Sequence, residues 1–361
     1  MAGSHAAQDR HKWSFHPRLC DDRKTNGVVP REQKFSSRPL TRDESFFIAR
    51  LQTTSRTMII VSMRRDILTM ASSFSIVSES GTINDDHLIV QALSEVLPYM
   101  DFLKGKTLVI KLGGSTLEHQ QTVLQDVIYL QALGALPVLV HGGGPYINQW
   151  LKKLNMPTRF ENGLRVTDAQ TLDIVRMVLL GQVNQGLVLM VSQMGGRAIG
   201  LSGTDGNMIC ARIADERLGF VGEIERVDPT PVQILLNQGY IPVIAPLSQG
   251  PGDGCLNINA DLVAAHLASA LKAEKLIFLS DVTGICRTDG SLISGLNEAE
   301  ARQLIEDGVI SGGMIPKVSA CLDVVSSVGH VRIVDGREPH VLLRELLTDQ
   351  GTGTMIVSNS L

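Results

Sequence analysis

A single lysine interrupts an otherwise apolar run, Thr107-Leu-Val-Ile-Lys-Leu-Gly-Gly-Ser115, and the run stops on paired glycines. Its length, its apolarity and its turn residues predict a buried strand over 107–112. An ammonium inside such a strand costs several kcal/mol unless it is paired or emerges at the strand end. A second strand-to-glycine junction follows at Pro137-Val-Leu-Val-His-Gly-Gly-Gly-Pro145. Two such junctions, each leading into a helical pattern, can set backbone N–H groups around one anion. Together they constrain the chain to an open α/β sheet with its ligands beyond the carboxyl ends of the strands.

The remaining pattern supports this. Strands are expected at 107–112, 137–141, 197–201, 241–245, 275–280, 331–334 and 354–357. Helices are expected at 116–133, 145–154, 168–193, 230–238, 259–272, 297–306, 315–327 and 339–347. Nearly all-apolar strands separated by helices predict an α/β fold, a three-layer αβα sandwich around a mainly parallel open sheet. Segments 208–211 and 220–227 read as hairpin-type strands, antiparallel additions at one edge of that sheet. The turn-rich Ser248-Gln-Gly-Pro-Gly-Asp-Gly254 marks a boundary between two lobes, 104–253 and 254–361. Ahead of them, Leu88, Ile89, Ala92, Leu93, Val96, Leu97 and Met100 recur at helical spacing. A helix over 86–103, capped by Asp85 or Asp86, packs on its own domain or on another subunit.

Composition removes several function classes. With 43% apolar and 19% charged residues, the 361-residue chain is expected to be a soluble globular protein. A formal charge of -4 and isolated basic side chains give no footprint for nucleic acid. No uninterrupted apolar stretch reaches the ~20 residues of a membrane helix, so no membrane is expected as a partner. Cys20, Cys210, Cys255, Cys286 and Cys321 show neither metal-site spacing nor a disulfide framework, and suggest a reducing compartment. Residues 1–85 read as an extension, and its first 69 residues hold thirteen Lys or Arg against seven Asp or Glu without sustained periodicity. A mobile extension, a processed targeting peptide and a vector remnant remain open for it, with Met70 an alternative start. The expected compartment is the cytoplasm, or a plastid or other organelle if the extension is a targeting peptide.

Dinucleotide and P-loop glycine motifs, zinc-protease helices and serine nucleophile elbows are absent. What stands out is glycine turns with lysines. Gly113, Gly114, Gly142, Gly143 and Gly144 form two candidate anion nests. Gly312-Gly-Met-Ile-Pro-Lys317 adds a third glycine turn and places a second lysine at a helix start. Lys111 and Lys317 together suit a phosphoryl group whose charge is spread over its equatorial oxygens. In Asn257-Ile-Asn-Ala-Asp261, Asn259 reads as a helix cap and Asp261 as a first-turn carboxylate able to hold a lysine or a ligand's Mg²⁺. Asp281 lies at another strand end. Arg165 offers a planar fork for a carboxylate. His141 has no partner that would complete a nucleophile and base pair, and it reads as structural.

Six ordered motifs then carry a resemblance. They are Val109-Ile-Lys-Leu-Gly-Gly114, Val140-His-Gly-Gly-Gly-Pro145, Asn162-Gly-Leu-Arg-Val-Thr167, Leu256-Asn-Ile-Asn-Ala-Asp261, Leu279-Ser-Asp-Val-Thr-Gly284 and Gly312-Gly-Met-Ile-Pro-Lys317. From about Leu88 onward the chain resembles the N-acetylglutamate kinases of the amino acid kinase family. Ser115-Thr-Leu-Glu-His119 departs from that family's commoner alanine- and methionine-containing stretch. The resemblance implies transfer of the γ-phosphoryl of ATP, with Mg²⁺ held mainly through the nucleotide and no protein metal site, to the side-chain carboxylate of N-acetyl-L-glutamate. It implies an N-terminal lobe for the acyl amino acid and a C-terminal lobe for ATP. It implies catalytic roles for Lys111, Lys317 and Asp261, and substrate contacts from Gly143, Gly144, Arg165 and Asn257. It places Gly113, Gly114, Ser280, Asp281, Gly284 and Gly313 on the nucleotide side. The helix containing Leu93-Ser-Glu-Val-Leu-Pro-Tyr-Met100 is similar to one that interlaces dimers into a hexamer, a trimer of dimers, in arginine-inhibited members. Tyr99, Gly336 and Glu338 then fall at an allosteric L-arginine site, and the PII signalling protein is an implied partner if the source is an oxygenic phototroph.

Overall fold

The run around Lys111 is indeed a strand, β1 (Thr107–Leu112), buried from its second residue onward. The computed structural model describes residues 85–114, 120–161, 163–252, 254–349 and 351–358, without the side chains of 85–90 and 92. The expectations for residues 1–84, for the caps Asp85 and Asp86, for 115–119 and for Asn162 lie outside these.

In chain order the elements are α1 (Asp85–Leu103), β1, α2 (Gln120–Ala132), β2 (Leu136–His141), α3 (Gly144–Lys153), β3 (Phe160–Glu161), β4 (Leu164–Arg165) and α4 (Ala169–Arg176). A π-helical segment, Met177–Asn184, follows, then α5 (Gln185–Gln193), β5 (Ala198–Ser202), β6 (Ile209–Ile213), β7 (Gly222–Val227), α6 (Thr230–Asn237) and β8 (Ile241–Ala245). The rest comprises β9 (Leu247–Gln249), β10 (Cys255–Asn257), α7 (Ala260–Ala270), β11 (Lys275–Ser280), β12 (Gly295–Asn297), α8 (Glu298–Glu306), α9 (Met314–Leu322), β13 (His330–Asp335), α10 (Val341–Leu347) and β14 (Thr354–Val357).

Eight strands form one sheet in the order β12-β14-β13-β11-β1-β2-β8-β5. All neighbours are parallel except β13 and β14. Alternate residues of each strand face opposite sides, which gives two cores. Val109, Val140 and Phe278 pack with Val263, Leu267 and Val318 of α7 and α9 on one face. Leu108, Ile110 and Leu139 pack with Leu124, Val127 and Leu151 of α2 and α3 on the other. Each such side chain contributes about 1.5–3 kcal/mol on burial, and the three-layer α/β sandwich follows. From β1 the chain builds outward on the β2 side and later returns to the opposite side through β11. That reversal opens a crevice beyond the carboxyl ends of β1, β2 and β11.

Several expectations need correction. The segments 208–211 and 220–227 do pair as antiparallel β6 and β7, but not at an edge of the large sheet; they belong to a separate four-stranded sheet, β10-β9-β6-β7. In that small sheet β9 and β10, on either side of the glycine-rich stretch, pair antiparallel. The helix expected over 315–327 stops at Leu322, where i→i−3 bonds such as Ser327 N–H to Val324 O wind the chain into turns. Finally, the helical run Ala169–Gln193 is long and apolar enough, by length and composition, to cross a membrane. Here it packs as a core helix, burying Val178, Leu179, Val183, Leu187 and Val191.

Candidate active site

Lys111 leaves β1 one residue before its end and lies buried against α7. Its Nζ is 2.7 Å from Asp261 Oδ1. From α9, Lys317 Nζ reaches both oxygens of the same carboxylate at 3.3 Å and sits 5.4 Å from the Phe278 ring centroid. Asp261 is placed by local chemistry: the Asn259 side chain caps α7 by accepting from the Asp261 N–H at 2.7 Å. Burial opposes charge on Asp261, but the two ammonium groups outweigh it and hold the carboxyl below the usual carboxylate range. Burial pushes the Lys111 ammonium down; Asp261 opposes this and Lys317 adds to it.

The two lysines open onto a cleft of about 800 Å³ that Gly113, Gly114, Ser280, Asp281, Gly284, Gly313 and Arg337 also line. Every residue expected on the nucleotide side is therefore in one cavity. At Gly284 the backbone has φ 145°, and a Cβ would meet Leu292 and Thr354 at 2.6 and 2.7 Å, so only glycine fits this wall.

Behind the cleft, the two glycine turns abut. A Cβ on Gly114 would lie 2.7 Å from Pro145 and 3.6 Å from the Gly144 nitrogen. Gly144 is in turn tied to Arg165, whose Nη2 donates to Asn148 Oδ1 at 2.5 Å and approaches the Gly144 carbonyl at 3.5 Å. The β3–β4 hairpin supplies Phe160, which stacks under the guanidinium at 4.7 Å. Nη1 of the same group is buried without a hydrogen-bond partner. Asn257 joins through Thr167: its Nδ2 donates to Thr167 Oγ1 at 3.2 Å, and that hydroxyl donates to the Arg165 carbonyl at 2.8 Å. Gly143, Gly144, Arg165 and Asn257 thus form one linked cluster beside the cleft. Asn148, Phe160 and Phe278 have no spacing signal that would have marked them.

Tyr99 lies on α1, which packs against α10, and Gly336 and Glu338 lie in the turn between β13 and α10. The Tyr99 hydroxyl donates to Asp349, whose carboxylate raises the pKa of the phenol. The Gly336 N–H donates to the Ser280 carbonyl at 2.8 Å. Glu338 lines a second cleft of about 670 Å³ with Arg344 and Thr348.

Two lysines on one aspartate at the carboxyl end of a parallel sheet are set to neutralise a polyanion. The model of the amino acid kinase family matches residues 106–335. The chain belongs to that family. The kinase is 50% identical over 279 residues to an acetylglutamate kinase of Thermosynechococcus vestitus, covering 75% of this chain and 95% of that one. An N-acetylglutamate synthase of Neisseria gonorrhoeae, solved with coenzyme A and N-acetyl-glutamate, superposes with a TM-score of 0.68 at 27% identity, over 75% of this chain and 64% of that one. Carbamate kinase of Giardia lamblia, bound to AMP-PNP, shares the fold at a TM-score of 0.53 and 16% identity, over 71% and 99% of the two chains. The chain is an enzyme, a kinase drawing its phosphoryl group from ATP.

Proposed function

We propose that this kinase transfers the γ-phosphoryl of ATP to the side-chain carboxylate of N-acetyl-L-glutamate, an early step of arginine biosynthesis. The observation carrying the proposal is the convergence of Lys111 and Lys317 on Asp261 at the mouth of the cleft, next to a buried guanidinium with a free end. A carboxylate acceptor is already nucleophilic, so the site needs no general base. Its task is to align two anions and cancel their repulsion. Lys111 and Lys317 stabilise the transferring group, and Asp261 holds both ammonium groups in place. Gly143, Gly144 and Asn257 orient the acceptor, and Arg165 Nη1 pairs with its carboxylate. Gly113 and Gly114 after β1, with Ser280, Asp281, Gly284 and Gly313 of a C-terminal lobe from 254 onward, receive the nucleotide.

The backbone-rich lining of the cleft fits a polyphosphate. Among the described residues no three His, Cys, Asp or Glu side chains cluster as a metal cage. Mg²⁺ held through the nucleotide phosphates would supply charge neutralisation there. We further propose L-arginine as inhibitor, acting around Tyr99, Gly336 and Glu338, and a homohexamer assembled through α1, whose Leu97 and Phe102 are 54% and 48% exposed. A cytoplasmic location and a PII-type partner accord with the cyanobacterial relatives.

The test is an acceptor panel of N-acetylglutamate, N-acetyl-aminoadipate, aspartate, carbamate and UMP, run with and without L-arginine at measured oligomer mass. Phosphorylation of N-acetylglutamate, lowered by arginine, is expected. Activity confined to another acceptor overturns the substrate reading, and N-acetyl-aminoadipate is the nearest rival because one methylene is worth only about 1–3 kcal/mol in a pocket.

A further inference from the structure

The segment Met177–Asn184 is wound as a π-helix between α4 and α5, a local over-insertion that recurs at functional sites. Its last residue, Asn184, is buried. The side-chain amide nitrogen donates to the Val243 carbonyl at 2.9 Å and approaches the Leu201 carbonyl at 3.4 Å. Two backbone carbonyls therefore fix that end of the amide as its NH₂. With one N–H on Val243, the other points to His141 Nε2 at 3.1 Å, closer than Leu201, so Nε2 accepts and carries no proton. The ring proton is left on Nδ1, which donates to the Gly142 carbonyl at 2.9 Å. Burial agrees, pushing the His141 ring down to about 4.

Two glycines show how closely this is built. A Cβ on Gly200 of β5 would stand 1.9 Å from Asn184 Oδ1, so the strand is notched to admit the amide. On Gly143 a Cβ would stand 2.5 Å from Leu179 and 3.6 Å from Val183, so the π segment also presses on the glycine turn directly. Peptide planarity completes the link: a pinned Gly142 carbonyl fixes the Gly143 N–H in the opposite direction.

We infer that the π segment, acting through Asn184 and His141, aims the Gly143 N–H at the reacting carboxylate of the acceptor, with His141 as an uncharged, Nδ1-protonated positioning residue. The inference rests on the reading of the glycine turn as facing the acceptor. One residue fewer in the segment would rotate Asn184 by about 100° and break the relay. His141 moves no proton in this role; it holds one.

Magic-angle-spinning NMR of the full-length chain with ¹⁵N-labelled histidine at about pH 7 reads the tautomer, with His141→Gln identifying the signal. A protonated Nδ1 and a bare Nε2 are expected; a protonated Nε2 or a cationic ring overturns the inference. Kinetics give the second arm. His141→Asn keeps an amide N–H near the Nδ1 position and should hold kcat within about threefold, whereas His141→Gln withdraws it and should lose about 10–100-fold in kcat at similar ATP KM and Tm. Parallel losses of kcat and Tm in both variants mark a merely structural histidine and overturn it. Wild-type turnover of N-acetylglutamate in the same assay tests the acceptor reading separately, since the tautomer is independent of the substrate.

Discussion

Lys111 of β1 and Lys317 of α9 meet at one carboxylate, their ammonium nitrogens 2.7 and 3.3 Å from Asp261 Oδ1. Two cations at such a distance repel, and burial magnifies the repulsion. The arrangement is stable because Asp261 lies between them and because the cleft beyond them is open to a polyanion. A strand from the first half of the chain and two helices from the second are thereby tied at the point where phosphoryl transfer is proposed.

Asp261→Asn keeps the volume and removes the charge that holds the two lysines together. Breaking a buried pair in this way costs about 3–5 kcal/mol, so urea unfolding should show a loss of that order. The same variant should lose about 100-fold or more in kcat, because the ammonium groups are no longer held against the transferring group. Stability within about 1 kcal/mol of wild type would mean that Asp261 does not organise the pair.

Lys317 and Arg165 are both buried cations, yet they face different events. Charge on the transferring phosphoryl group develops in the transition state, whereas an acceptor carboxylate is charged throughout. Lys317→Ala should therefore lower kcat by about 100-fold with little change in acceptor KM, and Arg165→Ala should mainly raise acceptor KM, by about tenfold or more. Steady-state kinetics over a full acceptor range separate the two. Exchange of the two effects would reassign both side chains.

The parts of this site that were legible in the sequence are those where a residue violates its surroundings. Lys111 breaks an apolar strand, Gly113 and Gly114 end it, and Lys317 follows a glycine turn with Pro316, so each announces itself locally. Asn259 was legible as a cap because capping has a short-range signature. The relation between Asn184 and His141 was not, since it depends on π winding and on the neighbouring strands β5 and β8, none of which leaves a periodic trace. Pairing partners were equally hidden: β6 and β7 were recognisable as a hairpin, but their membership of the small sheet depends on β9 and β10, which lie in a glycine-rich stretch that reads as loop. The helix over 315–327 was overextended because Val324, Val325 and Val328 continue the apolar pattern through turns and are buried there.

Asp126 of α2 is fully buried, with Oδ1 2.7 Å from His340 Nδ1 at the start of α10. Burial raises its carboxyl to about 6, against the lowering effects of His340 and of the Leu343 and Leu342 backbone N–H groups. A carboxyl with a folded pKa above its unfolded value of about 3.9 binds its proton more tightly when folded. Its contribution to stability is fully present below about pH 3.9 and is lost as pH rises through about 6, an effect of up to about 3 kcal/mol. Asp168 and Asp261 are shifted in the opposite direction, so the whole protein need not follow this slope. The difference isolates it: wild type minus Asp126→Asn, by urea unfolding at several pH values between about 4 and 7.5, should become less favourable as pH rises. His340→Ala removes the largest effect opposing burial and should move the same window to higher pH. A flat difference, or a window unmoved by His340→Ala, would mean that the pair linking α2 to α10 does not titrate as its geometry implies.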